Sequence, residues 1–453
     1  MTEGLGKRRP VKGTPPDAAR MLAWSVLREV DEKDAYANLL LPRRLRESRL
    51  DARDRALVTE LVYGTLRTRG SLDHVLALAS SRGIDAIDPP VLDALRLGAY
   101  QLLRTRIPAH AAVAVTVDLV RATKGEGASR FANAVLRRVS ERARLDDPLG
   151  LESVDDPGRR VALETAHPAW IVAAYVDALG DLDEARAALL VDDERPTTHL
   201  VARGLTRDEL LVAVPGGTAG PWSPFAVHLD DGGDPGGVEA VRDGRAAVQD
   251  EGSQLVALAL AEAAAPDGPV VDLCAGPGGK SALLAAVLPD AALLCVERQA
   301  HRARLVSRSA PGRVVVADGR AVPLRPGTAA RVLVDAPCTG LGALRRRPEA
   351  RWRRQPEDVA RLAALQGELL RAGLGLLAPG GVLVYATCSP HLGETDAVVG
   401  AIDATAAGVQ LIDARPLLPG VPALGPGPTV QLWPHRHGTD AMFLAAFRRS
   451  AAP

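Results

Sequence analysis

The chain predicts an α/β fold: a doubly wound, mainly parallel sheet preceded by an all-α domain and a small mixed subdomain. Three observations carry this expectation. From residue 248 onward, short apolar runs alternate with helical stretches, the pattern of strand–helix–strand units. The first of those runs, Val270-Val271-Asp272-Leu273, passes directly into a glycine-rich turn. Between residues 18 and 143, by contrast, apolar side chains recur at three- and four-residue spacing, the period of amphipathic helices.

Length and composition agree with this division. A chain of 453 residues is too long for one core and implies several domains. With 47% hydrophobic and 24% charged residues it reads as an ordinary globular protein. Its 55 Lys and Arg balance its 55 Asp and Glu, so any basic surface must come from local segregation. Four cysteines without regular spacing argue against a disulfide framework and against a zinc site, and no metal is expected. Reduced thiols suit the cytoplasm. The basic start, Met1 to Lys12, has no apolar run behind it, so a signal peptide is not expected. No stretch of about 18 apolar residues occurs, which excludes a membrane-spanning helix.

Residues 1–15, basic and rich in Pro and Gly, are expected to be a disordered tail. Residues 16–145 form the all-α domain. Its first helix shows in Ala19, Leu22, Ala23, Val26, Leu27 and Val30, and the same period returns across 56–66 and 91–103. Asp88-Pro89-Pro90 is a helix start, because proline is tolerated in the first turn. Two further helices are expected around 111–123 and 129–141. Residues 1–140 hold 24 Lys and Arg against 16 Asp and Glu, an excess that fits an RNA-facing surface and a merely solvated bundle equally well.

Residues 146–165 read as a linker, and 166–245 as a small α/β subdomain whose first helix opens at His167-Pro168-Ala169-Trp170. The doubly wound domain then spans 246–450. Its strand candidates are 269–273, 291–297, 313–317, 331–335, 381–387, 409–413 and 441–448.

The turn after the first of these strands reads Cys274-Ala275-Gly276-Pro277-Gly278-Gly279-Lys280-Ser281. Its glycines let a backbone approach a ligand and present N–H groups to it. The dinucleotide fingerprint is absent, and the spacing is wrong for a P-loop although Gly279-Lys280-Ser281 imitates the end of one. Glu297 and Asp318 close the next two strands. A carboxylate about 20 residues beyond such a loop takes ribose hydroxyls in related folds, and an acid one strand further on suits an adenine amino group. Either acid alone would read as a helix cap; together they favour a nucleoside-like cofactor.

Two cysteine strings leave strand ends: Asp335-Ala336-Pro337-Cys338-Thr339-Gly340 and Ala386-Thr387-Cys388-Ser389-Pro390. Free cysteine is commonly a buried packing residue, and Cys274 and Cys295 fit that description. Cys338 and Cys388 sit at loop exits, where ligands bind in an open α/β sheet. A pair of thiols there suits covalent chemistry in which one sulfur attacks and the other assists release. Cytosine in RNA is such a substrate, since thiolate addition at carbon 6 makes carbon 5 nucleophilic toward a sulfonium methyl. Asp335 is placed to stabilise the adduct near N3 and the amino group. Directly after the first string, Arg345, Arg346, Arg347, Arg351 and Trp352 belong to a cationic run. Guanidinium groups neutralise phosphate and an indole stacks on a splayed base, so these five are RNA-binding candidates.

Gln249-Asp250-Glu251-Gly252-Ser253-Gln254, Asp272 to Lys280, Asp335 to Cys338, Thr387-Cys388-Ser389 and Gly438 to Phe443 together resemble the Nol/Nop/Sun group of RNA 5-methylcytosine methyltransferases. The helical domain, including residues 54–67, is similar to the NusB-like RNA-binding domain. The resemblance implies a Rossmann-like methyltransferase sheet. It also implies S-adenosyl-L-methionine held by Cys274, Ala275, Gly276, Pro277, Gly278, Gly279, Lys280, Glu297, Asp318 and Asp335. It assigns nucleophilic attack to Cys388 and product release to Cys338, the reverse of the DNA enzymes, where the Pro-Cys cysteine attacks. The implied substrate is small-subunit rRNA, free or in an assembly intermediate, and a monomer is expected. An RNA-binding assembly factor with a vestigial site and a DNA methyltransferase using Cys338 are the rival readings. The intact loop and both thiols speak against the first, and Thr387-Cys388-Ser389 against the second. Ala441-Met442-Phe443 stands where the family more usually has Gly-Phe-Phe, and no function is read into 391–393.

Overall fold

The computed structural model describes residues 17–229 and 235–451, so the basic tail lies outside the described residues. The chain divides into two units, the first reaching to Pro168 and including Arg347–Glu349.

The first unit is all-helical. Its helices are α1 (Ala18–Glu32), α2 (Ala37–Glu47), α3 (Ala52–Arg67), α4 (Arg69–Ala79), α5 (Pro89–Arg104), α6 (Ala109–Arg142) and α7 (Pro157–Glu164). Local chemistry sets their starts. Asp17 and Asp51 cap α1 and α3 by accepting from the backbone N–H groups of Arg20 and Asp54, and α5 opens on its two prolines. The expected pair of helices is α6, broken where Gly125 takes φ 84°. The apolar faces read from the sequence, Ala19, Ala23, Val26, Leu27 and Val30 among them, meet in one core.

A buried ionic group crosses that core. Arg96 donates to both carboxylate oxygens of Asp73, at 2.6 and 2.8 Å, and to Asp93 at 2.9 Å; Arg28 reaches Asp93 at 2.8 Å. Burial alone would raise Asp93 and lower Arg96 and Arg28. The mutual pairing keeps both guanidinium groups charged. The stretch read as a linker differs from expectation. It contains α7, packed back on the bundle by a 2.5 Å bond from Ser71 Oγ to the Leu163 carbonyl. Too few apolar residues lie in 157–164 to show a helical period, and only Val161 and Ala162 are buried.

The second unit begins with α8 (Ala169–Leu179) and α9 (Leu182–Val191). A four-stranded antiparallel sheet follows, ordered β2-β3-β1-β4: β1 (Thr198–Ala202), β2 (Thr218–Ala219), β3 (Ala226–Leu229) and β4 (Ala246–Val248), with helices α10 (Arg207–Ala213) and α11 (Glu239–Arg242). The small subdomain thus runs slightly past its expected limit of 245. Helix α12 (Glu251–Glu262) then leads into the large sheet.

Here the alternation forms as expected: β5 (Val270–Asp272), α13 (Gly279–Val287), β6 (Leu293–Glu297), α14 (Ala300–Ser309), β7 (Arg313–Val316), β8 (Ala329–Asp335), α15 (Ala350–Arg353), α16 (Pro356–Leu376), β9 (Leu377–Thr387), α17 (Asp396–Gly400), β10 (Val409–Ile412), β11 (Val430–Gln431), α18 (Pro434–His437) and β12 (Phe443–Arg449). The strand order is β10-β12-β9-β8-β5-β6-β7, with β11 paired to β12. The five strands β9-β8-β5-β6-β7 are parallel, and β12 joins antiparallel between β9 and β10. Apolar side chains pack on both faces, as a parallel sheet requires. The chain reverses strand order at β5, so the carboxyl ends of β5 and β8 flank a topological switch point, where such sheets bind ligands.

Gly64 in α3 lies against the Tyr100 ring, and a Cβ there would fall 2.0 Å from its Cζ. Alanine in an exposed helix gains about 1 kcal/mol over glycine; at Gly64 overpacking reverses the sign. Gly64→Ala is expected to cost roughly 1–3 kcal/mol. A lowered thermal midpoint for the helical signal checks this, and an unchanged or raised midpoint contradicts it.

Candidate active site

Strands β8 and β9 run parallel with Asp335 opposite Ala386. The two segments therefore leave the sheet at one level, and Cys338 and Cys388 emerge side by side with their sulfurs 3.4 Å apart. The backbone N–H of Gly342 donates to the Cys388 carbonyl at 2.9 Å, folding the first loop over the second.

The two sulfurs are not equivalent. Hydrogen bonding to Cys388 is the largest reason that the Cys338 thiol titrates well above the ordinary thiol range; burial and negative charge on Cys388 add to it. Cations face the other sulfur. Burial tends to lower Lys280, but Asp335, Cys388 and Asp272 outweigh it and hold the ammonium charged. Arg346 behaves likewise, with Asp440, Asp250 and Cys388 opposing burial. Both cations therefore interact electrostatically with Cys388. Cys274 and Cys295 are pushed up chiefly by burial, Cys295 to about 11, and stay protonated.

The glycine turn sits beside this pair. Lys280, in the first turn of α13, donates to Asp335 Oδ2 at 2.7 Å, linking turn and cysteine loop. Beneath it the buried Asp272 accepts from Ser281 Oγ at 2.6 Å and from the Cys274 N–H at 3.2 Å. Its carboxyl is raised to about 6, chiefly by burial. Ala275 N–H bonds the Val296 carbonyl at 2.9 Å, and the Pro277 carbonyl accepts from Ser309 at 3.2 Å, so the turn is held against β6 and α14. Glu297 accepts from the N–H groups of Gly276 at 3.1 Å and Gln299 at 2.8 Å. Asp318, just past β7, is gripped by Arg320 and lowered to about 2 by that hydrogen bonding.

Thus Asp335, the 274–280 turn, Glu297 and Asp318 lie at the carboxyl ends of four adjacent parallel strands, β8-β5-β6-β7. A Cβ on Gly276 would meet Glu297 Oε2 at 2.1 Å, and Gly278 takes φ 109°, which L side chains rarely adopt. Only backbone fits between the turn and the acid. This cradle, with the Glu297 and Asp318 carboxylates on successive strands, has room and acceptors that suit a nucleoside-bearing cofactor.

The arginine run corrects the sequence reading. Arg345 is buried, donating to Asp250 at 3.1 Å and to the Gly438 carbonyl at 2.7 Å. Arg351 is fully buried, bound to Asp193 at 2.6 Å and the Asp192 carbonyl at 2.8 Å. Neither guanidinium faces solvent, so neither is available to RNA. Trp352 is half-buried. Arg346 is part-exposed and paired with Asp440; Arg347 is exposed and covers the Tyr36 ring. The Gln249–Gln254 and Gly438–Phe443 strings meet around these arginines, where Asp440 N–H donates to Asp250 at 3.0 Å. Burial pushes Asp250 upward, yet Arg346, His199 and Arg345 overcome it and hold the carboxyl far below its usual range.

Sequence reasoning missed Glu394. It is buried and binds the Cys338 loop and α16, with Thr339 N–H donating at 2.8 Å and Gln366 at 3.0 Å, while the Thr339 hydroxyl links it on to Ser389 beside Cys388. A lone acid after His391-Leu392-Gly393 carries no periodic or motif signal. Another group, His199, His228 and Glu251, brings three possible metal ligands together, but its imidazoles stack at 4.0 Å. The Glu251 carboxylate is already filled by Trp222 N–H, Ser223 N–H and His228. A separate cavity of about 580 Å³, lined by Trp222, Phe225, Leu255, Leu258 and Leu288 among others, contains none of the site residues. No helix among the described residues is long and apolar enough to cross a membrane.

Comparison with known proteins agrees with both units. Residues 257–448 match the 16S rRNA methyltransferase RsmB/F family, and residues 17–141 match the NusB family. The chain is 54% identical to Rv1407 of Mycobacterium tuberculosis over 98% of its own length and 99% of that protein's. It is 31% identical to the probable ribosomal RNA small subunit methyltransferase B of Bacillus subtilis, over 95% of this chain and 99% of that one. Among solved structures, PH0851 superposes with a TM-score of 0.77 at 21% identity, covering 96% and 99% of the two chains. NSun6 from Pyrococcus horikoshii, solved with SFG, gives 0.53 at 17% identity over 63% and 99%. These two likenesses concern the fold. The chain belongs to the RsmB/F family of 16S rRNA methyltransferases.

Proposed function

We propose that this chain methylates carbon 5 of a cytosine in 16S rRNA through a covalent bond between Cys388 and carbon 6. The observation that carries the reading is the 3.4 Å sulfur pair beside the Lys280–Asp335 ion pair. Bound in the glycine cradle, S-adenosyl-L-methionine supplies an electrophilic methyl on a sulfonium sulfur. The residues that would hold it are the 274–280 turn, Glu297 and Asp318, with Asp335 at the border of cofactor and base.

The chain's own part follows from the placement of the two sulfurs. Cys388, as the thiolate, adds to carbon 6, and the ring's electron pair shifts to carbon 5. Asp335, anchored by Lys280, accepts from the ring's amino group and orients the base, while the Lys280 ammonium opposes the negative charge that develops on the ring. Once carbon 5 has taken the methyl, Cys388 is a neutral thioether. Cys338 then gives its own proton to solvent. Its thiolate removes the proton on carbon 5, and the carbon 6–sulfur bond breaks with its electron pair returning to Cys388. The cycle ends with one thiol and one thiolate, as it began, and one proton released.

Cys338→Ala is expected to form an RNA adduct that persists on denaturing gels, whereas Cys388→Ala gives neither adduct nor methylated RNA. Methylation by Cys388→Ala would overturn the assignment of the attacking sulfur.

The helical unit and the exposed Arg347 support RNA contact, while Arg345 supports the fold. Arg347→Ala is expected to flatten the dependence of log KM on log salt by ~0.7, one single-strand phosphate contact. Arg345→Ala leaves the buried Asp250 and Asp440 short of a cation, at a cost of about 3–5 kcal/mol. It should lower the thermal midpoint without changing the salt slope. The opposite pattern for the two variants would exchange their roles.

A further inference from the structure

We infer that Glu394 is a positioning residue for the release step, a carboxylate clamp that ties the Cys338 loop to the Cys388 loop and sets the separation of their sulfurs. The inference rests on the reading that Cys388 attacks and Cys338 releases.

Glu394 closes the 3-10 turn Leu392–Glu394 and is fully buried. Its Oε1 accepts from the Thr339 N–H at 2.8 Å and from Gln366 Nε2 at 3.0 Å. Its Oε2 accepts from the Thr339 hydroxyl. Thr339 directly follows Cys338, and its hydroxyl also lies 3.2 Å from that of Ser389, which directly follows Cys388. Gln366 is in turn bonded to the Pro337 carbonyl at 2.9 Å, on the other side of Cys338. Tyr385, in β9, donates to the Glu394 carbonyl at 2.8 Å and fixes the clamp to the strand that carries Cys388. Cys338 is thus held from both flanks through one carboxylate that also reaches the neighbour of Cys388.

The three donors on this carboxylate are neutral. A buried anion satisfied by neutral donors is costly relative to an apolar side chain of similar size, so packing alone is a poor account of it. What the charge supplies is three short acceptor bonds in fixed directions, stronger than those of a neutral amide. An amide has a single acceptor oxygen and cannot serve the Thr339 N–H, the Thr339 hydroxyl and Gln366 together. The clamp touches no reacting atom. It acts on Cys338 through Thr339, and its charge also raises the Cys338 thiol; Cys338 is the sulfur whose work comes after methyl transfer. Attack by Cys388 depends on the cations Lys280 and Arg346 instead, which the clamp does not touch.

The test uses the full-length enzyme, 16S rRNA transcript and radiolabelled S-adenosyl-L-methionine. Adduct formation and decay are followed on denaturing gels after a single turnover. In Glu394→Gln, adduct should form within about threefold of the wild-type rate and decay on the order of tenfold to a hundredfold more slowly, since small misplacements at a reacting centre cost factors of this size. Thr339→Val, which removes only the hydroxyl, should slow decay in the same direction but less. It also serves as the test if the Glu394 variant does not fold. Unchanged decay, or formation and decay falling by one common factor, would overturn the clamp and leave Glu394 a structural residue. Failure of the parent reading looks different, because Cys338→Ala would then trap no adduct at all.

Discussion

One register governs the site: β8 and β9 are adjacent and parallel, with Asp335 level with Ala386. Parallel neighbours send both chains off the same edge of the sheet, so equivalent loop positions meet there. A shift of two residues along β9 would move Cys388 by nearly 7 Å, given about 3.3 Å of rise per residue. The sulfurs would then no longer touch. Register in turn is held by the apolar faces of the two strands, Val332, Leu333, Val334, Leu383, Val384 and Tyr385, all fully buried. Catalytic geometry is thus a consequence of core packing well below the loops themselves.

On this edge the protein concentrates several buried polar groups. Asp272, Glu297, Glu394, Asp250 and Asp440 are all buried, each with hydrogen-bond partners in the structure. Each such group is tolerable only when fully satisfied. The satisfaction comes from segments far apart in sequence, so the site forms only when the whole sheet closes. The motif strings at 249–254 and 438–443 take their place in this scheme as supports: they hold the arginines that follow the Cys338 loop, with Asp250 and Asp440 as the anchors.

What could be read from the sequence was what depends on local pattern. All seven strand candidates form, because each is an apolar run long enough to span a sheet and is bounded by glycine, proline or acid. The two α6 segments were legible for the same reason, with glycine between them. The two-residue β11 has no pattern to read, and α7 is too short and too polar to show one. The arginine run misled for a different reason. Six guanidinium groups in a row read as a solvated, phosphate-binding face only while their partners are unknown. Asp250 precedes Arg345 by 95 residues, and Asp193 precedes Arg351 by 158. Glu394 was illegible on the same ground: Thr339 lies 55 residues before it. Long-range pairing of charge, unlike periodic burial, leaves no local trace.

The four cysteines make the same point in chemical terms. They are one residue type at four strand or loop positions, and all four lie in a single unit. Cys274 and Cys295 have burial and nearby carboxylates raising them, and a thiol in that setting is inert. Cys338 is raised too, but chiefly by a neighbour that changes state during the proposed reaction. Two identical side chains at neighbouring strand ends thus have different surroundings: Lys280 and Arg346 interact electrostatically with Cys388, while hydrogen bonding and burial raise Cys338. Sequence can nominate a pair of thiols at strand ends. The groups that distinguish one from the other come from separate segments, and only the register of the sheet brings them together.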